Sequence, residues 1–280
     1  MGEIPHLDRA IGLPQSERGR QREYEKRLTD VFIENGHQPI PELELEKTER
    51  DRELLRVAQE AVDDYLARYG RAKRIQIPPA NIHVLAIGGV DKVTKGRHLE
   101  GAASFMKGSV IIDRVPSDSE FVLIAFHELF HLKSYSALQI TRQASKVNPR
   151  LVEYRQGFTV VNRDGTEEYF ANLEEAVVAH FTHRFYQDYL KANRSQLFSN
   201  TVATTEAAIS RSDELDLLDR TVDHIWENNR GTFRSREQVL DLFIRAQVNG
   251  DLLPIARLVE RTYGKGAFRR LGKTTGGPLE

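Results

Sequence analysis

The strongest constraint on the fold comes from the stretch between Ser117 and Ser136, which contains the run His127-Glu128-Leu129-Phe130-His131. Residues four apart on a helix lie one above the other, with their Cβ atoms about 5–6 Å apart. The two imidazoles therefore face the same direction, and their spacing suits two of the four positions of a tetrahedral metal site. Glu128 lies one step around the same helix, where it could reach a water molecule at the metal without binding the metal itself.

The surroundings of this run predict a buried helix. Ser117 and Glu120 form the capping-box pattern that begins a helix, and the residues from Phe121 to Phe126 are apolar on every side. Two histidines and a glutamate inside a buried helix are costly unless they have partners. A metal ion would satisfy all three side chains, and the alternative interpretation is a core histidine pair that is satisfied by protein groups alone.

Composition narrows the ligand types and the partners. The chain has no cysteine, which excludes disulfides and thiolate metal sites. Its 40 basic and 41 acidic residues give a net charge of -1, so no nucleic-acid or membrane partner is predicted. The start of the chain lacks the pattern of a secretory signal, and the longest uncharged apolar run, Phe121 to Phe126, is far too short to span a membrane. We expect a cytoplasmic protein.

The pattern before the histidine pair predicts a helix and a small sheet. Residues 1–40 are interpreted as an N-terminal extension, partly disordered, with a possible helix over Ser16–Glu34. Residues 41–136 are interpreted as a subdomain in which a small mixed sheet packs on the helix with the histidine pair. Its predicted elements are a helix over Lys47–Tyr69 and strands at Asn81–Ile87, His98–Met106 and Ser109–Asp113.

The pattern after the histidine pair predicts mainly helices, so the fold class is α+β. Residues 137–272 form the second predicted subdomain, and 273–280 a loose tail. Residues 137–152 are expected to be helical or irregular. A hairpin is expected from Tyr154–Val161 and Glu167–Phe170, around a turn at 162–165. Helices are predicted at residues 173–189, 212–229, 235–247 and 252–263.

A catalytic metal site needs a third protein ligand. Ser134 and Ala137 stand where a glycine and a third histidine would complete the extended form of the motif, so a carboxylate on a later helix is the remaining option. The run Leu173-Glu174-Glu175-Ala176-Val177 offers two. Glu174 falls near the centre of the apolar face of its helix, whereas Glu175 has small neighbours that would let two helices approach closely.

The H-E-x-x-H run and this second segment resemble the two motifs of the gluzincins, the thermolysin-like and aminopeptidase-like branch of the zincin superfamily. The resemblance implies a zincin-like fold and a zinc metallopeptidase, with His127, His131 and Glu175 as the Zn²⁺ ligands and Glu128 as the general base. Glu174 stands where the pattern has asparagine and remains the alternative ligand. Ala179 occupies the position of the usual acidic residue, so other groups must orient the imidazoles.

The resemblance also implies a peptide or protein substrate, which would pair with an edge strand, either Ser109–Asp113 or its hairpin partner. An oxyanion donor is needed as well, and its candidates are Tyr154, Arg155, Tyr169, His180 and His183. Two other classes of protein remain open: a zincin-derived binding or scaffold module without turnover, and a helical interaction protein in which the motif is accidental.

Overall fold

The fold is that of a computed structural model, which describes residues 8–12, 23, 40–71, 77–97, 99–104, 108–141, 150–162, 164–192 and 212–274. Within these residues the chain forms eight α-helices and two mixed β-sheets. The predicted α+β class is therefore confirmed. The predicted helix over residues 16–34 lies outside the described residues except for Glu23, and so does the tail from residue 275.

The smaller sheet contains three strands, in the order β2-β4-β3. Their bounds are β2 Ile82–Leu85, β3 Gly101–Ser104 and β4 Ser109–Asp113. β2 and β4 are parallel, whereas β3 and β4 are antiparallel. The three predicted strands are confirmed, β4 with the predicted limits and the other two with shorter ones, but β4 is the middle strand. Of the two strands expected at the sheet edge, Ser109–Asp113 is therefore excluded, and its hairpin partner β3 is an end strand.

Two helices pack against each other beside this sheet: α1 Glu49–Arg68 and α3 Asp118–Lys133. A capping box between Thr48 and Asp51 begins α1, and the Ser117 hydroxyl accepts from the Glu120 amide at the start of α3. These are local signals for where a helix begins. A third, short helix, α2 Gly89–Thr94, follows β2 and was not predicted.

Nearly every side of α3 is buried, as its apolar run predicts. Burial of α3 also buries the charged side chain of Lys133, which is 0% exposed. Its ammonium group lies 2.8 Å from the Asp63 carboxylate of α1. A buried charge needs such a partner because it is cut off from water.

The larger sheet contains five strands, in the order β1-β5-β6-β7-β8. Their bounds are β1 Arg9–Ile11, β5 Ser136–Thr141, β6 Arg150–Gln156, β7 Thr159–Val161 and β8 Glu168–Tyr169. The expectation of helix or irregular structure over residues 137–152 is therefore wrong where the structure describes it. Ala137 and Leu138 are consecutive in β5 and both buried, with a register shift between them, so the alternation typical of a strand is interrupted. The segment is held as a strand by β1 on one side and β6 on the other.

The predicted hairpin is present, but its first strand is divided. Gly157 has a φ of 54°, and the chain turns there between β6 and β7. Few side chains tolerate that left-handed conformation. The predicted turn at residues 162–165 joins β7 to β8, where the Asn162 amide bonds to the Glu167 carbonyl at 2.9 Å.

The remaining helices are α4 Ala171–Phe185, which continues as a π-helical turn at Tyr186–Leu190, then α5 Ser212–Asn228, α6 Arg236–Asn249, α7 Leu252–Tyr263 and α8 Ala267–Leu271. The first four were predicted and are confirmed within a few residues, whereas α8 was not predicted. None of the described helices is long and apolar enough to cross a lipid bilayer.

Aromatic rings bring α3 and α4 side by side. Phe126 stacks on Phe185 with ring centroids 4.4 Å apart, and Phe130 stacks on Phe181 at 4.6 Å. All four rings belong to a single buried core that runs from α1 to α8. This packing sets the register of the two helices, which determines what the polar side chains of α3 can reach.

Candidate metal site

The histidine pair of α3 and one carboxylate of α4 meet at a single point. His127 Nε2 and His131 Nε2 are 3.0 Å apart. The two oxygens of Glu175 lie 3.2 Å from His127 Nε2 and 3.3 Å from His131 Nε2. The three side chains form a group that could hold a metal ion.

These distances fit a tetrahedral zinc shell. Zn–N and Zn–O bonds of about 2.0–2.2 Å at tetrahedral angles place neighbouring ligand atoms roughly 3.3–3.5 Å apart. The observed separations of 3.0, 3.2 and 3.3 Å are close to that range. The donor set of two imidazoles and one carboxylate is also one that zinc accepts at catalytic sites.

The outer nitrogen of each imidazole has its own partner. His131 Nδ1 lies 2.9 Å from Glu174 Oε1, and His127 Nδ1 lies 3.2 Å from Thr182 Oγ1. The Thr182 hydroxyl gives its own proton to the Val178 carbonyl at 2.9 Å, so its oxygen must accept from His127. The carboxylate oxygen of Glu174 likewise accepts from His131.

These outer bonds assign the tautomers. In a neutral imidazole with its proton on Nδ1, Nε2 carries a lone pair. Both Nε2 lone pairs then point towards Glu175, at separations near 3 Å. Such a concentration of acceptors needs a cation to be stable, either a metal ion or a proton.

The pKa shifts of these side chains also indicate that the site favours a cation when no metal ion is bound. Burial alone would lower the pKa of His131, but the charge of Glu175 and the bonds to Glu174 and Glu175 raise it well above its ordinary value of 6.5. Burial would raise the pKa of Glu175, but His131 and His127 hold it well below its usual range. The same charges that would hold a metal ion thus favour a proton on His131 in its absence.

The two candidate ligands of α4 thus lie at different atoms. Glu175 is at the two Nε2 atoms, and its side chain is 37% exposed, towards a cavity. Glu174 is on the far side of His131, with a side chain that is 4% exposed. Glu174 also accepts a hydrogen bond from the Thr159 amide at 2.8 Å.

The group opens into a cavity of about 480 Å³. Its floor includes His127, His131 and Glu175, and Glu128 lies in the same wall with 7% of its surface exposed. The end strand β3 forms the rim at residues 101–103. A Cβ at Gly101 would lie 2.7 Å from Glu128 Cγ, so only glycine lets β3 pass so close to Glu128.

The cavity is also lined by residues of the hairpin and of α5, most of them acidic. They are Glu153 and Gln156 of β6, Glu168 of β8 and Glu214 of α5. Burial raises the pKa of Glu153 to about 7, and the nearby charges of Glu174 and Glu168 add to the effect. No basic side chain offsets Glu153 within the part of the chain that is described.

None of the five expected oxyanion donors lines this cavity. Arg155 instead donates to the carbonyls of Gly157, Ala246 and Gly250, and the Tyr169 hydroxyl donates to Glu167. The remaining three, Tyr154, His180 and His183, do not reach the cavity either. Among the described residues that line the cavity, Arg97 is the one arginine or lysine.

Sequence reasoning missed four residues around the site: Thr159, Thr182, Gln247 and Glu153. A signal for Thr182 was available, because it lies two helical turns after Glu175 on α4. Thr159 acts through its backbone amide, and Gln247 comes from a distant helix, so neither leaves a local pattern. Glu153 lies on β6, whose first residues, up to 152, were expected to be helical or irregular.

Comparison of the chain with protein-family models, with curated proteins and with solved structures finds no match. The geometry of the site is therefore the basis on which a function is assigned.

Proposed function

We propose that the protein is a zinc-dependent metallopeptidase of the gluzincin type. The observation that carries the proposal is the convergence of Glu175 on the Nε2 atoms of His127 and His131, at 3.2 and 3.3 Å. An accidental motif predicts no carboxylate at that point. The separate partners of both Nδ1 atoms add support, because metal-binding histidines are generally held in this way.

The arrangement around the site also supports a zincin-like fold. A small mixed sheet lies beside α3, and its end strand β3 runs along the cavity. The third candidate ligand comes from a helix that follows a hairpin. An extended peptide could add to the outer edge of β3 by main-chain hydrogen bonds, which would bring its backbone past Glu128.

The residues present fit a zinc ion, with His127, His131 and Glu175 as the groups that would hold it. When bound, zinc would polarise the scissile carbonyl and lower the pKa of a water molecule at its open position. Glu128 would accept the proton of the attacking water and pass it to the leaving amine. Glu174 and Thr182 would keep the two imidazoles in the tautomer that leaves Nε2 free.

The first experiment is metal analysis of the purified protein combined with peptide hydrolysis. We expect one zinc ion per chain, lost together with activity on treatment with a chelator and recovered on adding zinc. A peptide library is the probe, because the sequence names no particular substrate. Absence of bound metal after addition of zinc to the purified protein would exclude the proposal.

The second experiment separates an enzyme from an inactive zincin-derived binding module. Glu128→Gln should bind zinc as tightly as the wild type and lose at least about 1,000-fold in kcat, because it cannot accept the proton. Glu120→Gln is the matched control on the same helix, and it should retain activity. Zinc binding without hydrolysis by the wild type would favour the binding module.

A further inference from the structure

Gln247 of α6 is fully buried and lies at the centre of the groups behind the metal site. Its side-chain oxygen accepts from the Phe158 amide at 3.0 Å. Its side-chain nitrogen donates to Ser134 Oγ at 3.1 Å and lies 3.5 Å from Glu174 Oε1. One amide therefore joins the end of α3, the turn between β6 and β7, and the carboxylate that holds His131.

The turn is shaped to receive this amide. A Cβ at Gly157 would lie 2.4–2.6 Å from atoms of the Gln247 side chain, so the backbone closes directly on it. The Thr159 amide then reaches Glu174 Oε2 at 2.8 Å. Both oxygens of Glu174 are thus committed, one to His131 and Gln247 and the other to the turn that Gln247 supports.

The helix that carries Gln247 is itself anchored to the sheet. Arg155 of β6 donates to the carbonyls of Ala246 and Gly250, each at 2.8 Å. The Tyr135 amide, just after α3, donates to the Gln247 carbonyl at 3.1 Å. The position of the amide is therefore set by α3, β6 and α6 together.

We propose that Gln247 is a positioning residue of the metal site, which acts through Glu174 on the ligand His131. This inference rests on the proposed zinc binding. By holding the turn and Glu174 Oε1, Gln247 keeps the carboxylate in line with His131 Nδ1, so that the imidazole presents its Nε2 lone pair to the ion. Loss of a partner behind a metal ligand typically weakens metal binding by about 10–100-fold.

The test measures zinc affinity by competition with a chelator, in variants that keep all three ligands. Glu174→Gln should weaken zinc binding by about 10–100-fold, and Gln247→Met, which has similar length without hydrogen bonds, by about 10-fold. Because Gln247 acts through Glu174, the double variant should bind zinc no more weakly than Glu174→Gln alone. Independent, additive losses would overturn the proposal.

A structural loss of stability is separated by a control and a second readout. Thr221→Val removes a buried hydrogen bond elsewhere, from the Thr221 hydroxyl to the Leu217 carbonyl on α5, and should leave zinc affinity unchanged. Nitrogen-15 NMR of the His131 ring should show a protonated Nδ1 in the zinc-loaded wild type and faster proton exchange there in Gln247→Met.

The remaining outcomes are also decisive. If Gln247→Met does not fold, Gln247→Asn removes the same reach to Glu174 and takes its place. Zinc binding by the wild type together with unchanged affinity in the Gln247 variants would overturn this inference and leave the proposed function intact. Absence of zinc binding by the wild type would overturn both.

Discussion

The carboxylates on the two sides of the cavity differ in whether an imidazole lies beside them. On the ligand side, which is formed by Glu174 and Glu175 with the two histidines, each carboxylate faces an imidazole at 2.9–3.3 Å. On the hairpin side, formed by Glu153, Gln156 and Glu168, burial and neighbouring charges act on Glu153 without an offsetting base. The pKa of Glu175 is lowered and that of Glu153 is raised to about 7.

This difference shows that the acidic residues of the cavity are not equivalent. The ligand side could hold a cation at one point, because the Glu175 carboxylate lies beside two imidazole nitrogens. The hairpin side adds negative charge without such a point, and no described group of three ligand atoms includes its residues. Substitutions on the two sides should therefore affect different properties of the protein.

The largest expected effect is on metal affinity and comes from the ligand side. Glu175→Gln removes the charge and one of three ligands, and we expect zinc binding to weaken by about 1,000-fold, or about 4 kcal/mol. Competition with a chelator measures this loss. Glu153→Gln is the matched control in the same cavity and should bind zinc within a few-fold of the wild type. Equal losses in both variants would show that general negative charge, rather than coordination, binds the ion.

The pH dependence of metal binding should distinguish the two sides next. In the metal-free protein the charge of Glu175 and the bonds to Glu174 and Glu175 raise the pKa of His131 well above its ordinary value, so zinc competes with a proton at that imidazole. Zinc affinity should therefore fall as the pH decreases, by about 10-fold for each pH unit over which one proton is displaced. Calorimetry in buffers of different ionisation enthalpy counts the released proton. A pH-independent affinity would contradict the assignment of the proton to the site.

A smaller effect, on stability, is expected from the hairpin side. The pKa of Glu153 is about 7 in the folded protein and about 4.5 ordinarily, so the folded state binds more protons between those values. The stabilisation from this group is fully present below about pH 4.5 and is lost as the pH rises through about 7. Glu153→Gln should therefore stabilise the metal-free protein at pH 8 by about 1–2 kcal/mol, after allowance for its partial exposure.

Urea unfolding at pH 5 and pH 8 measures this difference. Glu168→Gln removes only one of the charges that repel Glu153, so it should give the same sign of change and a smaller size. If the stability of the wild type rose between pH 5 and pH 8, and Glu153→Gln showed the same rise, Glu153 would not be the group responsible.

Some parts of the structure were readable from local patterns. The helix with the histidine pair, α1, α4 and the helices from α5 to α7 follow from caps and from apolar residues at helical spacing, which depend only on near neighbours. The strands β2 and β4 follow from short runs of β-branched residues between turn signals. Glu175 as a ligand remains an interpretation by resemblance, with which the observed distances agree.

Other parts depend on contacts between distant segments. β5 is a strand because β1, more than 120 residues earlier in the chain, pairs with it in parallel from Arg9 to Ile11. The same limit applies to the metal site, where Glu174 and Glu175 are neighbours with the same side chain and differ only in what α3, the β6–β7 turn and α6 place beside them. The sequence by itself determined the two imidazoles and the pair of candidate carboxylates, since helical spacing is local. Only the tertiary structure decided which carboxylate meets the Nε2 atoms, because the stacked rings between α3 and α4 set how the two helices are rotated.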